Sequence, residues 1–296
     1  MTATPLDLEE LRRRLDAIDD RLQDLLIDRA EVVALVAEHK RSNNLNFYQP
    51  EREAQIIRRL VARHHGRLPL ASLVRIWREL LAATVSLETP FAVAVYAPAG
   101  SPVFWDLARD HYGSSTPIAA HGSIAQVIRA VAEAPDSAGV LPMPQEGEPD
   151  PWWRHLLSQH RNTPRVMARL PFGPRGNARG AGADALVIGH RAQQNTGCDR
   201  TLIATETAEI SRARILGLLS ALDLSCTFFA SSEQIDGAVD LIELDSFVPL
   251  SDPRIETFRT QLGSALHRLL PLGGYAVPLS IEPPSAASTA AAPAGG

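Results

Sequence analysis

Lysine accounts for one of the 29 basic residues in this chain, Lys40; arginine supplies the others. Such a composition keeps an ammonium where a compact, rotatable point charge does something a planar guanidinium cannot. Lys40 falls on the apolar stripe of a long helical pattern, and Arg29 occupies the slot on that stripe between Leu25 and Val32. Their spacing places them about 20° apart around a helix and roughly 16 Å apart along it. Acids and a hydroxyl interrupt the next two apolar stripes. Glu53 is in register with Ile56, Ile57 and Leu60, and Thr84 and Glu88 are in register with Leu80 and Leu81. Burying an unpaired charge is costly, so these groups must neutralise one another, contact water or surround a polar ligand. Two separated cations with an acid and a hydroxyl suit a small dianion that bears an alcohol. An internal salt-bridge network is the alternative.

Three helices must position these groups. From Asp7 to about Arg41 there is no glycine or proline, and Leu8, Leu11, Leu15, Ile18, Leu22, Leu25, Val32 and Val36 recur at three- and four-residue steps. That helix, at roughly 50 Å, is too long to bury its stripe against two shorter helices of its own chain, so a partner chain is expected to cover it. Pro50 suits the first position of a second helix, and a third carries Leu70 to Leu87 until Pro90 stops it. Three unequal helices of this kind predict an intertwined dimer.

Composition sets wider limits. A hydrophobic content of 45% predicts a real core, and a net charge of −5 without a charged block argues against nucleic acid or an anionic membrane as partner. Cys198 and Cys226 have no paired-motif spacing and read as reduced thiols. No stretch approaches the length of a membrane span, and the N-terminus turns acidic without an apolar core, which predicts a soluble, cytoplasmic protein. His64 and His65 lack a third suitably spaced ligand and read as helix-end residues, with no metal expected.

The runs LRRRLDAIDDRLQDLLIDRAEVVALVAEHK, FYQPEREAQIIRRL and IWRELLAATVSLE resemble, in order and spacing, the all-helical chorismate mutase family across residues 5 to 90. The resemblance implies an intertwined homodimer that converts chorismate to prephenate by a Claisen rearrangement in aromatic amino-acid biosynthesis, with no cofactor. It implies further that Arg29 grips one substrate carboxylate, that Arg12 of the opposite subunit reaches the other, and that Lys40 approaches a carboxylate and the ether oxygen. Arg52 completes the cationic wall, Glu53 accepts the substrate hydroxyl, and Thr84 lies near a carboxylate. Glu88 faces the ether oxygen, where a donor is needed, so it must be protonated to help. Gln49 stands where some members have aspartate.

Beyond Pro90 the apolar runs at 91–97, 138–143, 165–170 and 183–189 alternate with helical segments and predict an α/β module. The segments YAPAGSPVFWDLARDHYG and GVLPMPQEG resemble a prephenate dehydratase domain. The catalytic Thr-Arg-Phe triplet of that family is replaced by Ala183, Asp184 and Ala185, and an acid and amide are replaced by Pro144 and Gln145. The segment 91–197 is also short, as if a second lobe and the cleft beside it were missing. Trp152 and Trp153 fit either a core or an exposed patch. Residues 198–282 read as strand, helix, two strands, helix near 253–269, and strand: a ferredoxin-like unit. Their closing LGGY resembles an ACT regulatory domain, while ISRARI and Ala230 to Glu233 depart from its ligand motifs. The tail 283–296 lacks core formers and is expected to be disordered, and GPRGNARGAGAD reads as a mobile linker.

The expected architecture is therefore a helical mutase domain at 1–90, a truncated, degenerate dehydratase-like α/β lobe at 91–197, and an ACT-like α+β domain at 198–282. The expected function is chorismate mutase with dehydratase activity lost. Alternatives are a bifunctional mutase and dehydratase, or a non-catalytic sensor of an aromatic-pathway metabolite. An aromatic-pathway enzyme is a possible docking partner for the degenerate region.

Overall fold

Helix formers without glycine or proline carry the chain through α1 (Leu8–Ser42) of the computed structural model. The structure describes residues 7–280 apart from 100, 177, 178, 180, 181, 209, 235 and 236. At the end of α1 the backbone N–H of Asn43 donates to the His39 carbonyl and that of Asn44 to the Arg41 carbonyl. Asn44 then turns the chain at φ 51°, a left-handed conformation that asparagine tolerates. Pro50 opens α2 (Pro50–Arg63) at its first position, and α3 (Leu70–Glu88) runs from Pro69 to the stop ahead of Pro90. Helix α3 packs against both α1 and α2. Its buried stripe is Val74, Arg78, Leu81, Val85 and Glu88, whereas Leu87 is exposed. Against its own chain α1 buries Val33, Ala37 and Lys40, and leaves Leu11, Leu15, Ile18, Leu22 and Leu25 bare.

The remainder forms β1 (Ala92–Tyr96), α4 (Val103–Tyr112), β2 (Ile118–His121), α5 (Ile124–Glu133), β3 (Ser137–Pro142), β4 (Arg165–Leu170) and β5 (Ala185–Gly189). Then come β6 (Asp199–Thr207), α6 (Arg212–Ala221), β7 (Cys226–Gln234), β8 (Gly237–Leu244), α7 (Pro253–Leu262) and β9 (Leu266–Ala276). All nine strands join one sheet in the order β2-β1-β3-β5-β4-β9-β6-β8-β7. The last four neighbours, β9-β6-β8-β7, have the order of the ferredoxin-like unit read from the sequence. Strand β5 is buried at every position, which is why ALVIG is apolar without alternation. The edge strand β2, which the sequence reading did not include, is short and partly exposed.

The regions divided at residue 198 are thus continuous through the parallel pairing of β4 with β9, where Val166 faces Gly273. Gly273 sits at φ 107°, and a Cβ there would lie 2.1 Å from the Val166 carbonyl oxygen, so a side chain cannot be accommodated. One apolar cluster crosses this seam, with Trp152, Trp153 and Leu156 packed among Leu202, Leu241 and Leu272. The tryptophan pair is therefore core, in a 3-10 turn at Trp152–Leu156. A second cluster joins Tyr48 and Val85 of the helical part to Leu107, Tyr112, Val140 and Val187.

The helix read near 253–269 ends at Leu262, because Gly263 turns at φ 57° and the chain enters β9 at Leu266. Concave surfaces lie elsewhere than beside a second lobe. A depression of about 570 Å³ lies along the seam, and another of about 1100 Å³ lies between the helical part and the sheet. The tail 283–296 lies outside the described residues, as does part of the linker GPRGNARGAGAD. His64 caps α2, as read. No helix among the described residues is long and apolar enough to cross a membrane.

Candidate active site

Two polar clusters on the inner faces of the helices contain most of the groups singled out above. Lys40, in the last turn of α1, is 9% exposed, and its Nζ donates to Glu88 Oε2 at 2.7 Å and to the Phe47 carbonyl at 2.9 Å. The loop after α1 bends back so that its own backbone supplies that second acceptor. Eleven residues earlier on α1, Arg29 Nη1 donates to Thr84 Oγ1 at 2.6 Å, while Thr84 donates in turn to the Leu80 carbonyl at 2.8 Å. Arg29 and Thr84 are half-buried. Lys40, Glu53 and Glu88 are buried, but on α1 the buried line is Val33, Ala37 and Lys40, whereas Leu25, Val32 and Val36, from which its register was read, are exposed.

Glu53 pairs with a residue that the sequence reading passed over. Arg78 Nη1 donates to Glu53 Oε2 at 2.9 Å, both side chains being almost fully buried. The guanidinium lies 5.1 Å from the centroid of the Phe172 ring, a cation–π contact that helps compensate its desolvation. Burial raises the Glu53 carboxyl pKa, and the Arg78 charge opposes that rise, with Lys40 adding to the opposition. The signal for Arg78 was its register: it lies on the same buried line as Val74, Leu81 and Val85. Around the pair, Tyr48 donates to the Tyr112 hydroxyl at 3.3 Å, and buried His111, edge-on to Tyr112, has its pKa held down by desolvation and then by Arg78.

The other expected groups stand apart within one chain. Arg52 is exposed on α2, half-buried Gln49 donates to the Asn46 carbonyl at 3.3 Å, and Arg12 is exposed with Glu9 at 2.6 Å. Arg12 lies seventeen residues before Arg29, roughly 25 Å along α1, and cannot reach Lys40 and Glu88 of its own chain. The inward charges of a single chain close into pairs, Lys40 with Glu88 and Glu53 with Arg78, instead of standing around an open hollow. Those pairs retain unused capacity, since an ammonium has three donors and a guanidinium five.

A third buried pair fixes the start of α2 from outside the helical part. Arg191, in the connection between β5 and β6, donates from Nε to Glu51 Oε2 at 3.0 Å. Glu51 and Arg191 are buried, and Glu51 Oε1 has no hydrogen-bond partner among the described residues. Burial raises the Glu51 pKa, and Arg191 opposes the shift. Arg58 adds hydrogen bonds to the carbonyls of Cys198 and Val277, both at 2.8 Å. The helix carrying Arg52 and Glu53 is therefore tied to both parts of the sheet.

Residues 11–89 match the chorismate mutase type II family. Among relatives, the bifunctional chorismate mutase/prephenate dehydratase of Stutzerimonas stutzeri is 31% identical over 146 residues, covering 48% of this chain and 40% of that protein. The protein of the same description from Pseudomonas aeruginosa is 33% identical over 150 residues, with the same coverage of 48% and 40%. This chain thus spans 40% of the length of those relatives. A prephenate dehydratase structure from Streptococcus mutans aligns at a TM-score of 0.45 and 15% identity, over 63% of this chain and 98% of that one.

Proposed function

We propose, from a chain whose residues 11–89 are a chorismate mutase type II domain, that the protein rearranges chorismate to prephenate within its helical part. In that reaction a C–O bond breaks while a C–C bond forms in the same molecule. The protein has to hold the substrate folded and stabilise charge on the departing oxygen. The observation that carries this reading is Lys40: its buried Nζ uses two donors, on Glu88 and the Phe47 carbonyl, and keeps a third. That third N–H serves the ether oxygen. Arg29 keeps the rest of its fork for one carboxylate, and Arg12 of a second copy reaches the other. Arg52 adds positive charge to the binding wall, Thr84 sits by a carboxylate, and Glu53 and Gln49 take the hydroxyl end.

The bare apolar face of α1 supports a homodimer, because a stripe of leucines without cover on its own chain is buried by a second copy. A cytoplasmic location belongs to the same reading. The test is loss of chorismate absorbance in the presence of the protein. A chain that leaves chorismate unchanged would overturn the proposal.

A carboxylate at position 88 accepts and cannot donate. Glu88→Gln, whose amide donates, should therefore keep or raise chorismate turnover, while Glu88→Ala should lower it. A Glu88→Ala variant as active as the parent removes this role from Glu88.

Dehydratase activity is read as lost. Asp184, within the replaced catalytic triplet, is held by Arg169 at 2.7 Å and by Arg175. Phenylpyruvate formed from prephenate would favour the bifunctional alternative.

A further inference from the structure

The depression along the sheet seam combines basic side chains with an apolar floor. About 570 Å³ in volume, it is bounded by the segment before β4, the β5–β6 connection, the loop after β8, and β9. Among the described residues no aspartate or glutamate contributes to its wall, whereas Arg161, Arg165 and Arg191 do. Its floor is apolar, with Ile203 and Val248 buried and Phe247 and Leu250 half-buried.

The three guanidiniums differ in what neutralises them. Arg191 is matched by Glu51. Arg165 is half-buried and donates to two neutral acceptors, the carbonyls of Leu156 at 2.6 Å and Ser158 at 3.2 Å. Burial lowers its pKa, with no acid offsetting the shift. Arg161, four residues earlier, is exposed at the rim. Thr201, on the wall, already uses its hydroxyl on the Ser246 carbonyl and the Val248 N–H. Uncompensated positive charge over an apolar floor matches an anion whose body is apolar. Inorganic phosphate would leave that floor uncovered, and a neutral hydrocarbon would leave Arg165 without its counter-charge.

We propose that the seam depression is a binding site for a small carboxylate with an apolar body, its carboxylate between Arg161 and Arg165 and its body on Phe247, Val248 and Leu250. The site is separate from the helical cluster around Lys40 and does not depend on chorismate rearrangement. Helix α2 stands close by, for Arg191 reaches from the wall to Glu51.

Phenylacetate is a suitable probe, titrated into the full chain by calorimetry or ligand-observed NMR, with phenylacetamide and inorganic phosphate as controls. Phenylacetate should bind roughly tenfold or more tightly than its amide, and phosphate should not displace it. Two changes at exposed positions test the location without touching the core: Arg161→Gln removes a charge, and Ala192→Trp fills the cleft. Each should weaken binding by about tenfold. Equal affinity for acid and amide overturns the charge argument, and phenylacetate binding unaltered by Ala192→Trp overturns the site. Because the readout is binding, failure here leaves the isomerase reading standing, and an inactive enzyme that still binds phenylacetate leaves this site standing.

Discussion

Lys40→Arg should lower kcat/KM for chorismate by at least a hundredfold, equivalent to about 2.7 kcal/mol of transition-state stabilisation. The substitution keeps the charge and changes its shape. In the parent, Nζ sits between Glu88 and the Phe47 carbonyl at 2.7 and 2.9 Å, in a site that leaves Lys40 9% exposed. A guanidinium is planar, longer and rigid in the plane of its fork, so it cannot satisfy both acceptors and still direct one N–H at an oxygen of the substrate. The loss should fall on kcat as well as on kcat/KM, because the missing donor acts most strongly where charge develops. Steady-state kinetics on chorismate, with a thermal melt to confirm folding, decides it. An arginine variant as active as the parent would show that the ammonium has no special role.

The second large effect concerns stability. Arg191→Met strands Glu51, whose carboxylate is buried and accepts from Arg191 at 3.0 Å through one oxygen. Breaking a buried ion pair by removing one partner costs about 3–5 kcal/mol, which for a chain of this size corresponds to a melting temperature lower by roughly 10 °C. The double variant Arg191→Met, Glu51→Leu removes both charges and should recover most of the loss. If the single variant melts with the parent, the pair contributes nothing to holding α2. The pH dependence has a definite sign. Burial raises the Glu51 pKa in the native state even with Arg191 present, so the native chain binds more protons at this site than the unfolded one. The stability from Glu51 is thus complete below the unfolded value of about 4.3 and is lost as pH rises through the raised native value. Without Arg191 the native value rises further, and the deficit of the single variant should widen from acid to neutral pH.

How far these features were legible depended on whether a local period carried them. The helices were, because leucines at three- and four-residue steps leave few other readings, and Lys40, Glu53 and Glu88 stood out as interruptions of the pattern. Arg78 was equally available in principle, for it lies four residues after Val74 and three before Leu81 on the line that α3 buries, while Leu87 proved exposed. Arg191 offered no such handle, since it sits in an irregular connection 140 residues from Glu51. The four longer strands of the lobe were visible as apolar runs, whereas β2, four residues at an edge, was not. Nor could the single sheet be foreseen. It depends on Val166 meeting Gly273, a contact that neither segment announces alone. A substrate entering the helical part has to compete for Lys40, Glu53 and Glu88, which in one chain already have partners.

The seam at Gly273 has a consequence for how the chain is made. Strand β4 leaves the ribosome about a hundred residues ahead of β9, the parallel neighbour that covers its far side. Until that last strand emerges, the first half of the sheet has an open row of hydrogen-bonding groups of the kind that recruits other nascent chains. Ending translation before Leu266 would strip cover from β4 and β6 together, so premature termination should yield aggregates in place of a smaller soluble product.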